Sequence, residues 1–123
     1  MTQQEQCDRI ATDLMGWRLG RMIAPDDCWL KDSEDGPYFM EKRVDWNPFE
    51  NWAHCGMVLD RLWELGIYRE SAAYCREGKK YGACKILMGW GEIKIKIEDA
   101  DSEKTAICLA VLELIANHPE VLR

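Results

Sequence analysis

A chain of 123 residues, 47% of them hydrophobic, is sized for one domain with a substantial core. Its formal net charge of −6 argues against a basic nucleic-acid-binding surface and against attachment to an anionic membrane. Binding to the basic groove of another protein remains compatible with that charge.

The opening Met1-Thr2-Gln3-Gln4-Glu5 is polar and acidic, unlike a secretory leader, and no apolar run approaches transmembrane length. Cys7, Cys28, Cys55, Cys75, Cys84 and Cys108 show no short paired spacing. They are expected to be reduced thiols of a cytosolic protein, mostly buried as small apolar groups.

Thr2 and Glu5 are spaced for a capping box at the start of a first helix. Cys7, Ile10, Ala11 and Leu14 form its apolar stripe, and Gly16 ends it. Trp17, just beyond, can fold back onto the last turn. Asp26-Asp27 and Asp32-Ser33-Glu34-Asp35-Gly36-Pro37 are turn chemistry. Cys28 to Lys31 and Tyr38 to Lys42 flank the second cluster as two short strands.

The segment Asp45-Trp46-Asn47-Pro48-Phe49-Glu50-Asn51-Trp52 predicts a helix start, with Asn47 as cap, Pro48 at the first helical position and Glu50 closing a capping box. Trp52, Cys55, Leu59, Leu62 and Trp63 then recur at three- and four-residue steps, and Gly66 is the natural stop. The helix is expected over 48–65, with Trp52 and Trp63 in its buried stripe.

Residues 67–80 read two ways. Ile67-Tyr68-Arg69 can start a strand, whereas Ser71 to Arg76 passes as helical, and Glu77-Gly78-Lys79-Lys80 breaks either. Tyr81 to Met88 is strand-like, and Gly89-Trp90-Gly91 is a tight connection. Glu92 to Glu98 alternates, Ile93, Ile95 and Ile97 on one face and Lys94 and Lys96 on the other. The lysine face predicts a sheet covered by helices on one side only. Asp101 or Ser102 can cap the last helix. From Ala106 to Ala116 its one charged residue is Glu113, so most of its circumference is buried, and Asn117 and Pro119 end it. The expected fold class is α+β in a single sandwich-like domain, 1–123. It has a small, mainly antiparallel sheet of three to four strands packed by three helices, in the order α-β-β-α-(β)-β-β-α.

Catalytic and metal signatures are weak. Neighbouring residues on a helix point about 100° apart, so His54 and Cys55 do not face each other. Cys55 falls on the buried stripe and His54 toward solvent. With only His54 and His118, a tetrahedral metal site would have to be assembled from distant segments. Asp32-Ser33-Glu34-Asp35-Gly36 lacks the ligand series of an EF-hand loop, and Gly78-Lys79-Lys80-Tyr81-Gly82 is no Walker loop. No cofactor or metal is expected. Among the six tryptophans, Trp17, Trp29 and Trp46 are expected to plug the rim of the core, each indole N–H on a backbone carbonyl. Trp90, between two glycines, is hardest to bury.

The segments Met15-Gly16-Trp17, Asp45-Trp46-Asn47-Pro48 and Ala106-Ile107-Cys108-Leu109-Ala110, with the acidic Asp99-Ala100-Asp101 turn, extend over nearly the whole chain. Together they resemble the phage ABA-sandwich domain, a family of small bacteriophage and prophage proteins. The resemblance implies an α/β sandwich and a phage or prophage origin. It implies no particular activity.

The expected function is that of a non-enzymatic phage or prophage accessory protein in the host bacterial cytoplasm. It would bind a host protein or protein complex, without membrane or direct nucleic-acid binding. Inhibition of a defence system such as CRISPR is one concrete version. In it, acidic side chains occupy a groove normally filled by nucleic-acid phosphate. The interaction candidates are Trp90, Tyr81, Asp32, Glu34, Asp35, Asp99 and Asp101. An alternative is an oligomeric protein that sequesters a nucleotide or other small molecule. There Arg76, Lys79 and Lys80 would meet phosphate and Tyr74 or Tyr81 would stack on a base. A further alternative is an enzyme using Cys55 or a carboxylate pair.

Overall fold

The computed structural model describes residues 1–22, 26–88 and 92–122. Helix α1 (Gln3–Arg9) runs straight into one π-helical turn, Ile10–Leu14. The Thr2 hydroxyl accepts from the Glu5 N–H at 3.2 Å and the Glu5 carboxylate accepts from the Thr2 N–H at 3.5 Å, so the capping box is present. Gly16 turns the chain at φ +72, and the Trp17 N–H donates back to the Ala11 carbonyl at 3.0 Å. Three antiparallel strands follow, β1 (Arg18–Gly20), β2 (Cys28–Ser33) and β3 (Gly36–Lys42), in the order β1-β2-β3. The base of β2 (Cys28, Trp29, Leu30) is buried, and its tip is exposed.

Helix α2 spans Trp52–Glu64 and is capped by Asn51, whose Oδ1 accepts from Ala53 N (2.8 Å) and His54 N (3.2 Å). Spacing alone starts this helix at Pro48 with Asn47 as cap. In the fold, Asn47 caps only a single turn. Its Oδ1 accepts from Phe49 N at 3.1 Å, its carbonyl accepts from Glu50 N and Asn51 N, and Asn51 returns to an extended conformation. Two asparagines four residues apart both offer caps, and burial of Pro48 and Phe49 selects the second. This resets the helix's rotation. His54, Cys55, Val58 and Leu62 point inward, while Trp52 and Trp63 stand 51% and 78% exposed, so they do not belong to the buried stripe.

Residues 67–80 resolve as strand. β4 (Tyr68–Arg76), β5 (Lys79–Met88) and β6 (Glu92–Ala100) form a second antiparallel sheet, in the order β4-β5-β6. Glu77 (φ +52) and Gly78 (φ +78) make the two-residue turn of the primed kind, whose twist matches that of paired strands. The architecture is α+β with three helices, as the sequence leads one to expect. Among the described residues the strands number six and divide between two three-stranded sheets, where one sheet of three to four strands is expected from the sequence. The bracketed strand of the expected order is realised as β4, and the strand that order lacks is β1, too short to show a period.

Helix α3 (Glu103–Asn117), capped by Ser102 Oγ on Thr105 N at 3.0 Å, packs across β5, β6 and β4, and reaches the π turn and α2. It buries Ala106, Ile107, Cys108, Ala110, Val111, Leu114 and Ile115 against Cys84, Ile86 and Ile95. A short 3₁₀ turn, Pro119–Leu122, closes the described chain. On the sheet's other face Glu70, Ala72, Lys94 and Lys96 are exposed, so helices cover this sheet from one side.

β5 approaches the start of α3 so closely that a Cβ at Gly82 would lie 2.1 Å from the Ser102 carbonyl carbon. Backbone cannot yield as a side chain does. Gly82→Ala is therefore expected to destabilise the fold by about 2 kcal/mol or more, measured as a drop in denaturant midpoint at unchanged m.

Candidate functional site

Two surfaces gather chemistry. The first lies on the open face of the second sheet, at its hairpin end. Tyr74 and Tyr81 are directly paired across β4 and β5, with ring centroids 5.7 Å apart and planes 23° from parallel. The Arg76 guanidinium lies 5.0 Å and the Lys79 ammonium 5.2 Å from the Tyr81 ring centroid, a distance at which a cation is attracted by the ring's negative face. Asp99, held at φ +56, closes the group. Its carboxylate accepts from the Tyr74 hydroxyl and pairs with Arg76 Nη2 at 3.1 Å, and its N–H donates to the Tyr74 oxygen at 2.9 Å. The Tyr74 hydrogen bond, followed by the hydrogen bond from Arg76, holds the Asp99 carboxyl below the usual range, and the same bond to Asp99 pushes the Tyr74 hydroxyl up. Of the four residues suggested for an anionic ligand, Tyr74, Arg76 and Lys79 are thus assembled. Lys80 falls on the opposite face, paired with Cys75.

The second surface was not anticipated. Trp52, Gly56, Leu59 and Trp63 recur at steps of four, three and four along α2, a helical face whose two tryptophans are exposed while Leu59 between them packs partly against the core. Tyr68, 54% exposed, continues it onto β4, and the Lys104 ammonium sits 4.6 Å from the Trp52 ring centroid. A groove of about 410 Å³ runs between Leu59, Asp60, Trp63, Ile67, Tyr68 and Arg69. A neighbouring depression of about 350 Å³, floored by Met15, Trp17, Met40 and Met57, shares Asp60 with it. The stripe was legible as a second 3–4 periodicity on α2, hidden because large tryptophans are assigned to cores by default.

The acidic candidates are dispersed. Asp32 is held by Arg18 at 2.8 Å and Asp99 by Arg76. Glu34 and Asp35 occupy the exposed β2–β3 turn, and Asp101 lies in the exposed turn before α3. Trp90 lies outside the described residues.

His54 corrects the expectation of a surface imidazole. It is 6% exposed, its ring 5.0 Å from that of Trp46. Its Nδ1 accepts from Asn47 N at 3.0 Å, which places the ring proton on Nε2, 3.0 Å from the Glu41 carboxylate. Trp46 itself donates its indole N–H to the Cys7 carbonyl at 3.0 Å, and Trp17 packs edge-on against it at 4.8 Å. Trp17, Trp29 and Trp46 are all buried. The Trp29 indole N–H has no hydrogen-bond partner among the described residues, so the carbonyl expected for it is not there.

Cys55 points to Cys108 and not to His54. The contact with Cys55, followed by burial, pushes the Cys108 thiol far up, and burial pushes Cys84 to about 12. All six cysteines are free, and five are buried. Among the described residues no three His, Cys, Asp or Glu side chains are placed to share a metal ion, and no helix is long and apolar enough to cross a membrane.

Compared with known proteins, the chain matches no family model, no curated protein and no solved structure.

The buried imidazole generates a stability prediction. His54→Ala leaves the Asn47 N–H and the Glu41 carboxylate without their partner and opens space beside Trp46. A loss of about 2–3 kcal/mol is expected in chemical unfolding. A loss below about 0.5 kcal/mol, the level of an ordinary surface change, would show that the ring carries no structural role.

Proposed function

We propose that this chain works by recognition: a non-enzymatic accessory protein, of phage or prophage origin, that binds a host protein or complex in the bacterial cytoplasm. The observation that carries the reading is the aromatic stripe Trp52–Leu59–Trp63–Tyr68, with two tryptophans at least half exposed on one helix face. Large rigid rings are the side chains that anchor protein interfaces, and monomeric surfaces rarely leave them contiguous. Asp60, exposed and without an ion pair among the described residues, sits between the two grooves and would meet a basic group on the partner. The net charge of −6 would accelerate encounter with a basic groove, the circumstance of a nucleic-acid-binding defence complex such as CRISPR machinery. Cys55, buried against Cys108 while His54 engages Glu41, favours this reading over a cysteine enzyme.

In a pull-down from host lysate, Trp63→Ala is expected to lose the captured partner while unfolding within about 0.5 kcal/mol of wild type, as suits a side chain that is 78% exposed. Val44→Ala, an equally exposed position, should retain the partner. Association with that partner should slow steeply as salt rises, and a rate indifferent to salt would remove the phosphate-groove version.

A second reading has its own observation. The Tyr74–Tyr81 stack with Arg76 and Lys79 is suited to an anionic aromatic ligand, whose phosphate would compete with Asp99 for Arg76. Mononucleotides and cyclic nucleotides should then raise the melting temperature of the wild type and not of Arg76→Ala. Equal shifts for both proteins, or none, would exclude it.

A further inference from the structure

The two edges of the second sheet are built differently. β6 carries Lys94 and Lys96, and the β5–β6 register breaks twice, the devices by which sheets discourage a further strand. β4 has none of them. It runs nine residues, Tyr68 to Arg76, in unbroken register with β5, without proline, lysine or bulge, and with Ala72 and Ala73 at its middle. Glu70, Ala72, Ala73, Cys75 and Arg76 are all exposed, so no other part of the described chain covers this edge.

We propose that the β4 edge is the docking site for a second copy of this chain, the two β4 strands pairing antiparallel about a two-fold axis at Ala73. The charges select the occupant and the register. With Ala73 opposite its own copy, Glu70 faces Arg76 within the paired strands, and Arg69 comes level with Glu77, the first residue of the turn beyond β4, each pair made twice by symmetry. A slip of one residue in one direction sets Arg69 against Arg76, and in the other sets Glu70 against Glu77, like charges in both cases. A two-residue slip centred on Ala72 opposes no charges of unlike sign. Glu70 and Glu77 are in no ion pair among the described residues, and Arg76, already paired with Asp99 at 3.1 Å, would be shared between Asp99 and the Glu70 of the second copy. In the Ala73 register both helices α3 lie on one side of a continuous six-stranded sheet. Tyr68 then faces Gly78, which has no side chain, so its ring stays open with Trp63 for a further partner.

The full chain should sediment as a dimer in the micromolar to sub-millimolar range. Glu70→Arg opposes like charges twice and should raise the dimer dissociation constant at least tenfold, and adding Arg76→Glu should restore most of the loss. Register is read by cross-linking in a Cys75→Ser background, which removes the exposed thiol and leaves five buried. Ala73→Cys should give an intermolecular disulfide under mild oxidation. Ala72→Cys should not, because its Cα atoms would stand beyond disulfide reach. Far-ultraviolet circular dichroism checks that each variant is folded. A wild-type monomer throughout the range, a dimer indifferent to Glu70→Arg, or equal cross-linking at both positions would overturn the assignment.

Discussion

The buried indole of Trp46 is the contact on which the arrangement of this molecule depends. Its N–H holds the Cys7 carbonyl of α1, its edge meets Trp17, and its face lies against His54 of α2. One side chain thus fixes the first helix, the 43–51 connection and the second helix relative to one another. His54 completes the lock by accepting from Asn47 N and contacting Glu41 of β3, which ties the first sheet to the same point. Since His54 must face inward to do so, α2 is held at one rotation. That rotation sends Cys55, Val58 and Leu62 to the core and leaves Trp52 and Trp63 outside. The exposed stripe is therefore a consequence of how the core is locked, and no rotation of α2 satisfies His54 and buries both tryptophans.

The second sheet answers a different constraint. Its helix-covered face is closed by α3, a helix apolar on most of its circumference, brought close by the missing side chain at Gly82. Its open face carries charged and tyrosine side chains, and at the hairpin end these engage one another. Asp99 is the organiser there. Its φ of +56 turns the carboxylate toward Tyr74 and Arg76, and Arg76 in turn lies over Tyr81. An exposed cluster of this kind contributes little stability, since ion pairs in water are worth at most about 1 kcal/mol. Its consequence is orientation: it holds a cation and two rings in a fixed arrangement.

Legibility in the sequence followed the strength of the local signal. The Thr2 capping box, the Gly16 and Gly66 stops, the β2–β3 turn, the Ile95/Lys96 alternation and Ser102 as a cap are short-range rules, and they hold in the fold. The start of α2 did not follow, because Asn47 and Asn51 satisfy the same capping rule and only the burial of Pro48 and Phe49 chooses between them. β4 was ambiguous because Ser71-Ala72-Ala73 has no marked alternation, and it becomes a strand through pairing with β5. Of the site candidates, Tyr74, Tyr81, Arg76 and Lys79 were found singly. Their assembly with Asp99 needed the 25-residue separation between Tyr74 and Asp99 to be closed by the sheet, which no local pattern reports. Trp52 and Trp63 were missed for the opposite reason, since size suggested burial and the helix's rotation decided otherwise.

Charge acts at two ranges in this molecule. Seen from beyond a Debye length of about 8–10 Å, two chains of net charge −6 repel, and a basic partner is drawn in. At contact along β4 the sign is set locally, by Glu70 against Arg76 and Arg69 against Glu77. Raising salt weakens both terms, and the long-range repulsion falls first, because charges at contact are screened least. A chain so built is protected from indiscriminate self-association by its overall charge and is admitted to one register by its edge. The Trp63 face adjoins the start of that edge through Tyr68, so the proposed self-pairing and the proposed partner contact would meet at one end of β4.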